Sequence, residues 1–360
     1  MPSPSAALTL YYLADLGERL DLDDAAARLG RPGTGRVRPS RTIAEAIQVP
    51  NPPLVAPLDL PTGFPVPAGT VARASVLLFD FGVASLRLRV EWPAGAPWPE
   101  VRDRSATLIH ADVAPWFAPL LERLRQEVGR AVQQPDLARE SQEYAILRLV
   151  GDARAVWLDD ADLAALLFNE RRPLATTGRE MLLARDYRYT ELDRTVVGYD
   201  AAVVVDPEAD DEDVEYLLEF ANAQLLELQV YDAVLGAQAP PLEAAAGGGR
   251  GGRRTFGRRY HELQMRMYHL ASRTERLVQQ ADNALTITDD VYLARVYRGA
   301  LEVMLEPAWR RSVDRKLDLL RGAYGALSAE AQAARSELLE VLIIVLIAVE
   351  IGLALLGVVR

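Results

Sequence analysis

The side chains best equipped for chemistry fall in one short stretch. Asn169, Glu170, Arg171 and Arg172 are followed closely by Arg185, Asp186, Tyr187, Arg188 and Tyr189. Carboxylates beside guanidiniums and phenols can orient a polar ligand or move a proton. Glu170, Arg171, Arg172, Asp186, Tyr187 and Tyr189 are therefore candidate pocket residues. Ordinary salt bridges and loop packing would use the same composition.

Other constellations fail on residue type or spacing. The chain has no cysteine, which excludes disulfides, thiolate zinc sites and cysteine nucleophiles. It has three histidines, His110, His261 and His269. The last two would lie about 80° apart around a helix, poor geometry for a shared metal. Asp80-Phe81-Gly82 spells a kinase triplet, but no H-R-D loop or V-A-I-K strand accompanies it. The glycine-rich stretch Gly247 to Gly252 lacks G-K-[ST] and reads as a linker. The acidic run at 206–215 lacks calcium-loop spacing, and its acids suit a helix N-terminus. No residue is assigned as catalytic or metal-binding, and no cofactor is expected.

The elements that must position these groups are legible from periodicity. Ala7 to Ala14, Val71 to Phe81 and Val83 to Glu91 read as strands. In the last, Leu86, Leu88 and Val90 alternate with Arg87 and Arg89, the pattern of a half-buried strand. Asp23 to Leu29 and Asp112 to Val132 read as helices. Leu54 to Leu60 is an extended piece within a Pro- and Gly-rich region. A second unit opens with strands at Tyr144 to Val150 and Ala155 to Leu158, then a helix at Asp160 to Asn169. Thr177 to Glu180 fits a capping box. Thr195 to Val205 reads as one or two strands before a helix running to about Leu235.

Net charge is −11, and it is uneven. The first 249 residues carry 23 basic and 38 acidic groups, while the remainder carries 17 and 13. An acidic body would repel phosphates, so nucleic acid is not an expected partner.

The C-terminus carries the largest apolar signal. Val341 to Val359 is an apolar run with Glu350 at its centre. It would span roughly 28 Å of helix against a hydrocarbon core of about 30 Å. Its Leu, Ile and Val residues supply about −4 to −8 kcal/mol of insertion energy. The central carboxylate costs about 2.5–3.5 kcal/mol. The balance predicts a tail anchor, with Glu350 a membrane-embedded polar residue. A buried core helix or an oligomer seam is the other reading of this run.

Two heptad seams precede it. One runs Phe256, Tyr260, Leu263, Met267, Leu270, Thr274, Leu277, Ala281 and Ala284. The other runs from Val313 through Leu317, Leu320 and Tyr324 to Val341. A third helix at Asp289 to Glu306 would join them. Matched lengths predict an antiparallel hairpin, which would set Arg250, Arg253, Arg254, Arg258 and Arg259 at a lipid surface. Each such arginine contributes about 1 kcal/mol. A flexible solvated linker and RNA contact are the alternatives for that cluster, and the acidic body opposes the second.

YYLADLGERLDL near the start, VLLFDFGVASLRLRVEW in the first sheet and LLEVLIIVLIAVEIGLALL at the end together resemble the family called required for meiotic nuclear division protein 1 (domain of unknown function 155). The resemblance follows the plan of the whole chain and is loose between residues 92 and 240. It implies a membrane-anchored organising role and no catalytic residue.

The expected fold class is an α+β N-terminal region followed by an antiparallel helical coiled-coil hairpin and one C-terminal transmembrane helix. The expected domains are 1–140 and 141–236 (two α+β subdomains), 237–254 (a Gly/Arg-rich linker), 255–338 (the hairpin stalk) and 339–360 (the anchor). The expected function is a non-enzymatic, tail-anchored scaffold that recruits a cytoplasmic protein partner. Its other expected partners are membrane lipids and further copies of itself. Placement is single-pass in the cytoplasmic membrane of a bacterial-type cell, N-terminus in the cytoplasm. The alternatives are a membrane-attached enzyme with a pocket near 170–189, and a soluble oligomer that buries the C-terminal helix.

Overall fold

A computed structural model describes residues 5–37, 51–135, 138–154, 158–208, 212–247, 272, 291–304 and 306–358. Two compact units divide the chain, 1–234 with 274–311 and 235–273 with 312–360.

The first unit is built on a nine-stranded sheet. Its strands are β1 (Ser5–Asp15), β3 (Gly35–Arg36), β4 (Leu54–Leu58), β5 (Val71–Leu78), β6 (Val83–Trp92), β8 (Ser141–Val150), β9 (Asp186–Tyr187), β10 (Arg194–Val197) and β11 (Ala201–Asp206). The spatial order is β3-β4-β5-β6-β1-β8-β11-β10-β9. Every pairing is antiparallel except β8 with β11. β1 pairs with β6 on one side and β8 on the other, so strands from both expected subdomains share one sheet. Two short strands, β2 (Gly17–Leu20) and β7 (Val132–Pro135), pair separately.

Alternation sorts the strand residues between two faces. Leu8, Leu10, Leu86, Leu88, Val90, Leu147, Leu149 and Val203 belong to one core. Helices α1 (Leu22–Leu29), α2 (Trp98–Ile109), α3 (Ala114–Val128), α4 (Asp160–Phe168) and α5 (Thr176–Leu183) contribute to this core. Leu13, Leu77, Tyr144, Ile146 and Val204 belong to the opposite core. That core is completed by the first half of α6 (Asp213–Gly247) and by α7 (Val291–Val303).

Local chemistry fixes several ends. Asp21 accepts from the Asp23 and Asp24 amides and starts α1, which Gly30 ends in the left-handed region. The capping box lies at Asp159 and Asp162, opening α4. It does not lie at Thr177, since α5 starts at Thr176 behind Ala175, with no side-chain cap. Asp80-Phe81-Gly82 forms the turn between β5 and β6. Gly82 has φ +85°, and a Cβ there would meet the Gly17 carbonyl. Phe79 stacks on Phe81, and both rings meet Phe220 of α6.

The last helix, α8 (Glu306–Val358), begins where the third expected helix ends and is a separate element from α7. In its second-unit part, Val313, Leu317 and Leu320 are buried. The expected first arm of the hairpin, residues 255–290, lies outside the described residues apart from Ser272. The Arg250, Arg253, Arg254, Arg258 and Arg259 cluster and His261 and His269 lie there as well.

Among the described residues no helix is long and apolar enough to cross a membrane. This overturns the expected C-terminal transmembrane helix, and with it the tail anchor and the single-pass placement. The physical reason is length. Glu340 and Glu350 bracket an uncharged run of only Val341 to Val349. That is roughly 14 Å of helix, about half of what a bilayer core requires. The insertion balance reached a favourable sum only by reading through Glu350, which sits exposed on α8.

Candidate functional site

The second face of the sheet changes character along its length. On β6, Val83 and Ser85 give way to Arg87, Arg89 and Glu91. On β5, Leu77 gives way to Ser75 and Arg73, and on β1, Leu13 gives way to Tyr11 and Thr9. Pairing places Arg87 beside Tyr11 and Ser75, and Arg89 beside Thr9 and Arg73. Two like charges directly opposite repel. Here Glu91 bridges them. Arg73 Nη1 donates to Glu91 Oε2 at 2.8 Å, and Arg89 Nε donates to Oε1 at 3.0 Å.

The facing wall is the start of α6. The Tyr216 amide donates to the Glu212 carbonyl at 3.0 Å, which makes Glu212 the capping position. Glu212, Glu215 and Glu219 then share one helix face at steps of three and four. Arg89 Nη1 lies 3.0 Å from Glu212 Oε1. Arg87 holds Glu219 through two bonds, Nε to Oε1 at 2.8 Å and Nη2 to Oε2. The Glu219 side chain is only 1% exposed. Burial works against the Arg87 charge, but the Glu219 carboxylate outweighs it and holds the guanidinium above its ordinary pKa. Burial, reinforced by Glu219, raises the Tyr11 phenol, which therefore stays neutral at physiological pH.

Beside this cleft, Arg148 of β8 donates from Nη1 to Glu215 Oε1 at 2.6 Å and from Nη2 to the Glu208 carbonyl at 2.5 Å. Burial raises the Glu215 pKa, and Arg148 opposes the rise without cancelling it. Glu215 Oε2 and the Tyr216 hydroxyl are buried with no hydrogen-bond partner among the described residues. An unmet buried group of this kind costs about 1–3 kcal/mol.

Together the two walls enclose a cleft of about 620 Å³. Three guanidiniums and five carboxylates line it, Asp213 included. No histidine lines the cleft. The arrangement is suited to holding a polar molecule.

The sequence-derived candidates lie elsewhere. Glu170 closes on Arg172, with Oε2 2.7 Å from Nη2, and the arginine's hydrogen bond holds the carboxyl down to about 2. Arg171 is exposed. Asp186 accepts from Arg194 Nη2 at 3.0 Å. Tyr187 packs against the second core and abuts Gly299, and burial raises its phenol. Tyr189 is 73% exposed and tilts over Tyr292. Glu170 and Asp186 are thus each bound to a separate arginine. The nearest described histidine to this region, His110, has Nε2 3.3 Å from the Ala165 carbonyl. Among the described residues no group of three or more His, Asp or Glu is placed to hold a metal.

The cleft residues were not selected from the sequence, although a signal existed. Arg87 and Arg89 stood out on a period-two strand, and the acids from Glu212 to Glu219 recur at helical spacing. Neither pattern by itself says that the two sets of charges face each other.

A family model covers residues 5–212, more than half of the 360-residue chain. The chain belongs to the family described as Uncharacterized protein MJ0711, N-terminal domain. This overturns the resemblance to the meiotic nuclear division family. The segments that carried it are a strand with its turns, a hairpin and an apolar helix, patterns that many folds share. All eleven strands of the described residues lie inside the matched region, and so does the sheet wall of the cleft. The match ends as α6 begins. No match comes from the curated proteins, and none comes from the solved structures.

Proposed function

We propose that the α+β unit is a non-enzymatic binding module, and that the cleft between β1, β5, β6 and α6 takes a small polar ligand. The observation that carries this reading is the concentration of charge on one part of an otherwise apolar sheet. Desolvating charged pairs rarely adds net stability relative to apolar side chains of similar size. Ligand-binding clefts run from about 300 to 1,000 Å³ with a few convergent polar groups that fix orientation, and this cleft of about 620 Å³ is of that size. Thermal denaturation of the full chain against sugars, amines, phosphates and dicarboxylates tests it. At least one class raises Tm in wild type, and Arg87→Met with Glu219→Leu abolishes the shift. No shift from any class contradicts the reading.

A second reading rests on α8. Ten large apolar side chains between Leu339 and Ile351 are each 50–61% exposed. Exposed apolar surface on this scale marks an interaction site. The chain then acts as a scaffold that assembles with further copies of itself through this segment. Sedimentation velocity on full-length Leu342→Lys/Leu346→Lys tests it. The variant sediments as a smaller species than wild type if the segment is the seam, and identically if it is not.

A further inference from the structure

Resting on the ligand-binding reading of the cleft, we infer the chemical class of its occupant: a neutral polyhydroxylated ring, a monosaccharide or a cyclic polyol. The first argument is that the charges of the cleft are already engaged. Arg87 is held by Glu219, Arg73 by Glu91, and Arg89 by Glu91 and Glu212. Glu215 is held by Arg148. Asp213 is engaged as well. A charged ligand of either sign would compete with a protein group for each of these charges. A neutral ligand competes with none. The pairs still have capacity, because a carboxylate oxygen carries two lone pairs and a guanidinium five N–H donors. One ligand hydroxyl can accept from the guanidinium and donate to the carboxylate beside it, with the pair left intact.

The second argument comes from the lining groups that have no partner. Thr9 and Tyr11 of β1 and Ser75 of β5 line the cleft, and the first two are buried. None of their hydroxyls makes a hydrogen bond among the described residues. On the helix wall the Tyr216 hydroxyl and Glu215 Oε2 lack partners too. All of these but Glu215 are hydroxyls, and burial holds the Tyr11 phenol neutral. A neutral hydroxyl both donates and accepts. An ammonium only donates and a carboxylate only accepts, so either would use half of that capacity. Ligand hydroxyls use all of it. A single amide reaches too few of these groups, which are spread over β1, β5 and α6.

Spacing is the third argument. The pairing sets Arg87 between Tyr11 and Ser75. Neighbouring strands stand about 4.7–4.9 Å apart, so Tyr11 and Ser75 lie about 10 Å from one another across Arg87. Thr9 is on the same face as Tyr11, about 7 Å along the strand. A six-membered ring with hydroxyls around its rim, making a hydrogen bond of about 2.8 Å at each side, covers this area. A single alcohol does not.

Isothermal titration of the full chain tests the assignment, with glucose, ribose and myo-inositol as neutral probes and glucosamine, glucose 6-phosphate, putrescine and succinate as charged ones. The expected result is saturable binding of at least one neutral probe at one site per chain, with the charged probes weaker by about tenfold or more. Thr9→Val and Ser75→Ala each weaken that binding by about fivefold. The Tm of the ligand-free protein stays unchanged in both, because neither hydroxyl bonds to a described residue. Binding of a charged probe with no response to any neutral one overturns the assignment and leaves the cleft as a binding site. Neutral binding unchanged by both substitutions overturns it as well, since uptake would then lie elsewhere. Weakened binding accompanied by a fall in Tm in both variants overturns it too, since the hydroxyls would then be structural. No binding of any probe overturns both this assignment and the ligand-binding reading.

Discussion

The two faces of the central sheet use the same strands for different ends. One face is apolar through its centre, with Leu8, Leu10, Leu86, Leu88, Val90 and Leu147 sealed beneath α1 to α5. The other starts in the same way around Leu13, Leu77 and Tyr144 and then turns to Arg73, Arg87, Arg89 and Arg148. Because side chains alternate, each strand contributes to both faces with no change of backbone. The first face therefore carries the stability, and the second gives up part of its apolar area to a charged cleft. The proposed binding role rests on that difference and on no motif.

The comparison can be broken most severely at Arg148. Arg148→Met leaves Glu215 buried without its counter-charge and is expected to lower stability by about 3–5 kcal/mol in urea denaturation. Pairing it with Glu215→Leu restores most of that loss. A double variant as unstable as the single would show the pair to be structural.

The same variant carries a pH signature. Burial holds the folded-state pKa of Glu215 above its unfolded value. A raised acid favours the folded state fully below the unfolded value, about 4.3, and loses that contribution as pH rises through the folded value. Removing Arg148 raises the folded value further. The deficit of Arg148→Met therefore grows as pH rises above the unfolded value, measured as the Tm difference from wild type. A deficit constant with pH contradicts the assignment to Glu215.

On the apolar face, Leu88→Ala removes a fully buried side chain. The expected loss is about 2–5 kcal/mol, with ligand uptake unchanged once folded protein is selected. At the cleft rim the pattern inverts. Arg73 is 66% exposed, and its pair with Glu91 is a surface pair. Arg73→Ala is expected to change stability by less than about 0.5 kcal/mol while altering the affinity of the cleft.

Much of the sheet was legible in the sequence, because period-two alternation is a local signal. The strands at Ala7 to Ala14, Val71 to Phe81 and Val83 to Glu91 correspond to β1, β5 and β6. Helix α2 was not, since Arg102, Asp103 and Arg104 interrupt its buried positions Val101, Ser105 and Ala106. The charged cleft was illegible for a different reason. Arg87 and Glu219 are 132 positions apart, and only the sheet pairing and the docking of α6 bring them together. The 170–189 cluster looked functional because its charges are neighbours in sequence, and neighbours pair most easily with one another, as Glu170 and Arg172 do. The C-terminal run misled through composition, as its summed hydropathy concealed the break at Glu350.

Urea denaturation of full-length Arg87→Met/Glu219→Leu tests the central claim most directly. If the cleft charges are kept for binding at the expense of stability, the apolar pair leaves the midpoint unchanged or raises it. A fall of about 3 kcal/mol or more would show that the second face needs its charges to fold, and the division of labour between the two faces would be wrong.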